Sequence, residues 1–103
     1  MASKRDVLAV AHCIAADLYQ AFSLANDFGV RLVIDEGVAS CILTYDKTDD
    51  LTSSRELELV RAISWFEGGF GVYHCLYDGI SKACFIRHFA KDHGLEFREL
   101  KNA

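Results

Sequence analysis

One apolar stripe, repeating at helical spacing over residues 5–28, constrains what this chain can fold into more than any other feature. At about 100° per residue, Val7, Val10, Ala11, Ile14, Leu18, Ala21, Phe22, Ala25 and Phe28 share one broad face, while His12, Ala16, Gln20, Ser23 and Asp27 lie opposite. Ser3 and Asp6 stand at the spacing of a capping box with the shorter acid, and Gly29 closes the helix. So long an amphipathic helix must pack on something, which makes the remaining residues the other half of a shared core.

Those residues read as strands and helices in turn. Residues 30–34 and 38–45 alternate with period two and are rich in β-branched types, and Asp35-Glu36-Gly37 between them suits a hairpin turn. Val30, Leu32 and Ile34 share one face of the first strand. In the second, Ala39, Cys41, Leu43 and Tyr45 share one face and Val38, Ile42 and Thr44 the other. Residues 46–54, DKTDDLTSS, form an exposed loop. Ser53 and Glu56 then have capping-box spacing for a second helix that runs to Glu67, where Gly68-Gly69 ends it.

Residues 70–77 alternate again, with Phe70, Val72, His74 and Leu76 on one side and Tyr73, Cys75 and Tyr77 on the other, and are read as a third strand. Asp78-Gly79 leads into a helix over 80–93, stopped by Gly94, and residues 95–100 form a last strand. The expected fold is α+β, in the order α-β-β-α-β-α-β, with a mixed four-stranded sheet and helices mainly on one face. A sheet so apolar on both sides favours a second copy covering the open face, hence a homodimer.

At 103 residues, with 51% apolar and 25% charged side chains, the chain has material for one core, and 1–103 is read as a single domain. There is no proline, no repeat and no low-complexity tract. The net charge of −4, from 15 acidic and 11 basic side chains, argues against direct binding of nucleic acid, whose affinity comes from clustered cations. Lys82, Arg87, Lys91, Arg98 and Lys101 give the last quarter a local basic excess, read as a solvated helix face and tail. The apolar stretch after the first basic residues is interrupted by His12 and Asp17, which disfavours a signal peptide or a membrane span. Cys13, Cys41, Cys75 and Cys84 are isolated singles, so free thiols and a cytoplasmic location are expected.

Motifs that carry chemistry are thin. Cys84 and His88 are four apart on the last helix, opposite the buried Ala83, Ile86, Phe89 and Ala90, and form the pair best placed for a thiol–imidazole dyad. No oxyanion site or orienting third group accompanies them, so a polar helix face outweighs catalysis. His12-Cys13, His74-Cys75, Cys41 and His88 supply soft ligands but no chelating spacing, and neither a metal nor another cofactor is expected. Gly68, Gly69 and Gly71 follow a helix, whereas phosphate-cradling glycines precede one. His93 is read as a core-facing residue at a helix C-terminus, where its charge would meet the dipole.

Trp65 is the strongest recognition feature. It projects beside Glu58 and Arg61, away from Leu59, Val60, Ile63 and Phe66, either tucked under a neighbouring element, the slightly favoured reading, or free as a binding anchor. Asp46, Asp49 and Asp50 precede the same helix and would steer a basic partner towards it. These residues point to a non-enzymatic protein that binds another protein stoichiometrically, as an inhibitor, immunity or regulatory protein. The alternatives are a self-assembling accessory protein, or a small enzyme or ligand-binding domain using Tyr73, His74, Cys75 and Tyr77 with Cys84 and His88.

Overall fold

The computed structural model describes residues 3–37 and 40–101. Helix α1 spans Lys4–Asp27. At its start the Asp6 N–H donates to Ser3 Oγ (3.2 Å) and the Ser3 N–H donates to Asp6 Oδ2 (3.4 Å), a reciprocal capping box. At its end Gly29 takes φ of 69°, and the Val30 N–H reaches back to the Ala25 carbonyl at 2.8 Å. Gly94, with φ of 64°, ends the last helix in the same left-handed way.

Strands β1 (Leu32–Glu36) and β2 (Cys41–Tyr45) form an antiparallel hairpin with Ile34 opposite Leu43 and Glu36 opposite Cys41. Asp35 and Glu36 therefore continue the ladder instead of turning it. Beyond the ladder the Gly37 N–H donates to the Ser40 carbonyl (2.8 Å). The expected strand positions of Val38 and Ala39 lie outside the described residues.

Helix α2 spans Ser53–Leu76 without interruption. Thr52, not Ser53, is its N-cap, accepting from the Arg55 N–H (3.4 Å), and Glu56 turns instead to Tyr45. The expected helix stop at Gly68-Gly69 and the expected strand over 70–77 are both overturned. Phe66, Phe70 and Tyr73 stay buried at helical spacing, and ring contacts of 6.0 Å (Phe66–Phe70) and 5.7 Å (Phe70–Tyr73) carry the helix past the glycines.

Helix α3 (Lys82–His93) and strand β3 (Arg98–Lys101) complete the chain, and β3 pairs parallel to β1. The order is α-β-β-α-α-β, and the mixed sheet has three strands, β2-β1-β3, rather than four. Leu32, Ile34 and Leu43 face the helices and join one core with Ile14, Leu18 and Phe22 of α1, Leu59, Ile63 and Phe66 of α2, and Ile86 and Phe89 of α3. Leu24, absent from the expected α1 face, is buried as well. By length and composition α1 is also apolar enough to cross a bilayer, with a mean hydropathy of 1.5 over an 18-residue window, 28% of which is buried.

The two long helices run antiparallel. Gly69 of α2 packs on Ile14 of α1, while Arg55, near the start of α2, lies 5.4 Å from the ring centre of Phe28 just past the end of α1.

Candidate binding surface

Beyond Arg61, helix α2 carries uncharged residues on its outer side as well as its inner one, and only the inner side meets the core. Leu59, Ile63, Phe66, Phe70 and Tyr73 point inward. Leu57, Val60, Trp65, Val72 and Leu76 are exposed. Trp65 is 71% exposed and Val72 56% exposed, and the positions between them on that side are Gly68 and Gly71, where an added Cβ would meet no atom within 4 Å. From Ala62 to Tyr73 the only ionisable side chain besides Tyr73 itself is Glu67, so the outer face has no charge along its middle turns. A helix of this kind normally has both sides covered.

Beside Trp65 a groove of about 380 Å³ opens between the helices, lined by Asp17, Gln20 and Leu24 of α1 and Glu58, Arg61, Ala62 and Trp65 of α2. The indole is thus one wall of an open interhelical groove, and the reading that tucked it under a neighbouring element is corrected. The α3 segment that could have covered it is fixed elsewhere, by Phe85 packed on Phe66, Phe70 and Tyr73.

The three acids do not act as a unit. Asp46 is tied to Arg98 (3.0 and 3.1 Å), whereas Asp49 and Asp50 are exposed in the turn before α2. Trp65 lies twelve residues beyond Ser53, about 18 Å along the helix axis. One partner of ordinary size spans that distance.

The sheet's outer face carries Val33, Asp35, Ile42, Thr44, Arg98 and Leu100 by alternation. Val33 is buried, Ile42 is 53% exposed, and Arg98 and Asp35 make the face partly ionic. It is smaller and more charged than the four-stranded sheet expected to carry a homodimer.

Cys84 is half-buried and His88 exposed, and among the described residues no hydrogen bond joins them; the Cys84 N–H donates to Oγ of Ser81, the N-cap of α3 (3.1 Å). Tyr73 is in the core, and neither it nor His74, Cys75 and Tyr77 lines the groove or the larger cleft of about 820 Å³ near Asn26, Arg31 and Glu96. Cys13 and Cys75 are exposed, and all four thiols are free. Burial pushes the half-buried Cys41 thiol up, with Lys82 offsetting part of the effect. Among the described residues no three His, Cys, Asp or Glu side chains gather as a metal-binding group.

His93 is exposed, not core-facing. Its Nδ1 lies 2.9 Å from the Phe89 carbonyl and its ring stacks on Phe89 at 4.2 Å. Much of the basic excess of the last quarter is paired: Lys82 with Glu67, Arg87 with Glu36 and Glu99, and Arg98 with Asp46.

The period-two alternation of residues 70–77, which reads as a strand, hides the apolar face of α2 in the sequence. The scarcity of charge from Ala62 to Tyr73 was the signal that could have revealed it. In comparison with known proteins, no family model matches the chain, and neither a curated protein nor a solved structure is similar to it.

Proposed function

We propose that this chain works by stoichiometric protein–protein binding, with no chemistry of its own, and that the outer face of α2 around Trp65 is its docking surface. The exposed indole is the observation that carries this reading: it stands beside an open groove whose rim carries Asp17, Glu58 and Arg61, and the helix face beyond it, past Gly68 to Val72, has no charge. Tryptophan in such a setting is a frequent interface anchor, because it brings a large, stiff contact area for little lost rotamer freedom. Inhibitor, immunity and regulatory proteins operate in this way. Asp49 and Asp50 extend the surface towards a basic partner, and four unpaired cysteines suit a cytoplasmic protein.

The test is capture of partners from native extract by the tagged chain, beside Trp65→Ala and Asp49→Asn/Asp50→Asn versions shown to be folded. A protein recovered in fixed proportion, this chain's own untagged copy included, and lost with Trp65→Ala supports the reading. Recovery of nothing, or of a partner indifferent to Trp65, overturns it.

A further inference from the structure

Resting on that reading, we propose that the occupant of the α2 face is a second copy of this chain, packed antiparallel about a two-fold axis close to Gly68. The two long helices of one protomer would meet those of the other as a four-helix arrangement.

Area favours this occupant. Helices α1 and α2 are each 24 residues long. Side by side they present a surface about 36 Å long and about 20 Å wide, on the order of 700 Å². A stable interface buries about 800 Å² per partner, so this face nearly suffices for a dimer. The outer face of the sheet, with three strands of four or five residues, offers only about 250 Å² and carries Arg98 and Asp35.

Self-complementarity supplies the second argument. Gly68 and Gly71 weaken an exposed helix interior and relieve no crowding within their own chain. With the axis at Gly68, the two backbones approach where neither has a side chain. At about 100° per residue Trp65 and Val72 fall on one flank of Gly68, and the two-fold keeps them there, so each Trp65 lies beside Val72 of the second copy. Ser64 and Gly71 fall on the other flank and meet in the same way, and Arg61, seven residues before the axis, faces Cys75. The two exposed apolar side chains nearest the axis, Trp65 and Val72, thus receive each other, and the small residues Ser64, Gly68 and Gly71 let the helices approach closely.

Trp65 is the sole tryptophan, so its emission reports this face alone. Sedimentation of the full chain over a concentration series should show the mass rising from one chain to two, with the emission moving to shorter wavelength over the same range. Gly68→Glu, at a position open to solvent in the monomer, should keep the native circular dichroism and raise the dimer dissociation constant at least ~100-fold by placing two facing carboxylates at the axis. Ile42→Asp on the open sheet face should leave the dimer intact. A wild-type chain that stays monomeric at every soluble concentration overturns the second-copy proposal, as does a dimer that tolerates Gly68→Glu or that is lost with Ile42→Asp. A monomer that still captures a foreign protein through Trp65 would leave the broader binding function standing. A monomer that captures nothing would remove both.

Discussion

Gly69 of α2 packs directly against Ile14 of α1: a Cβ built on it would stand 2.8 Å from Ile14 Cγ2, a methyl of a core side chain that is 1% exposed. Ile14 is β-branched and enclosed, so it has no free rotamer into which to retreat. Gly69→Ala should therefore destabilise the fold by about 1–3 kcal/mol, although alanine is the better helix former. Gly71→Ala, facing open space, should stabilise it by up to about 1 kcal/mol. Denaturant unfolding at low protein concentration reads both signs, and equal effects at the two glycines would contradict the packing described.

The same glycines explain where sequence reasoning succeeds and where it stops. The first helix was legible because its apolar residues fill one stripe and its polar residues the other. The hairpin faces were legible for the corresponding reason at period two: Leu32, Ile34 and Leu43 do turn to the core. Residues 70–77 satisfy both periods. Phe70, Val72, His74 and Leu76 alternate, yet Phe66, Phe70 and Tyr73 also recur at helical spacing, and a helix uncharged on its outer side as well as its inner one carries no periodic contrast to decide between them. Local preference then assigned the break to glycine, while tertiary packing on Ile14 is what Gly69 serves. At the surface, Trp65 could be named from sequence, but its exposure depended on where α3 docks, and that is set by long-range contacts of Phe85.

Glu67 joins three elements. Its Oε1 accepts the Leu43 N–H at 2.7 Å, on the outer edge of strand β2, and its Oε2 pairs with Lys82 at the start of α3. Covering an edge N–H in this way also blocks unwanted strand pairing. Glu67→Ala should cost about 1–3 kcal/mol, since it strands both the amide and a half-buried ammonium. Glu67→Gln, which keeps an acceptor for Leu43, should cost less, and Glu58→Ala on the exposed side should stay within about 0.5 kcal/mol. Chemical denaturation of the three variants tests this ranking.

Tyr45 donates its phenolic O–H to Glu56 Oε2 at 2.5 Å, linking β2 to the first turn of α2. That bond, followed by burial, pushes the phenol up from 10 to about 12, and the same bond holds the Glu56 carboxyl below its ordinary value. A raised phenol binds its proton more tightly when folded. Its stabilising contribution is whole below pH 10 and is lost as the pH rises through about 12. The lowered carboxyl works in the opposite sense, losing its contribution as the pH falls through its depressed value. A tyrosinate absorbance titration should show a transition near pH 12 that Tyr45→Phe removes, together with a shallower alkaline loss of stability in that variant. If the transition survives the substitution, the Tyr45–Glu56 bond is not its source.

The four free thiols should react in an order set by their surroundings. Cys41 is half-buried beside Glu67 and Asp35, and burial raises its pKa by more than Lys82 lowers it, so little thiolate exists near neutrality. Cys13 is exposed on α1. Alkylation followed by peptide mass analysis should find Cys41 at least ~10-fold slower than Cys13 at neutral pH. Glu67→Gln removes a negative charge while leaving Lys82, so it should speed Cys41 specifically and leave Cys13 unchanged. Cys84 bears on function in the same experiment. A nucleophilic dyad with His88 requires it to be the fastest of the four, and to slow sharply in His88→Ala; a rate no greater than that of Cys13, indifferent to His88, leaves Cys84 as the first-turn residue whose N–H donates to Ser81, the N-cap of α3, and agrees with a chain that binds without catalysing.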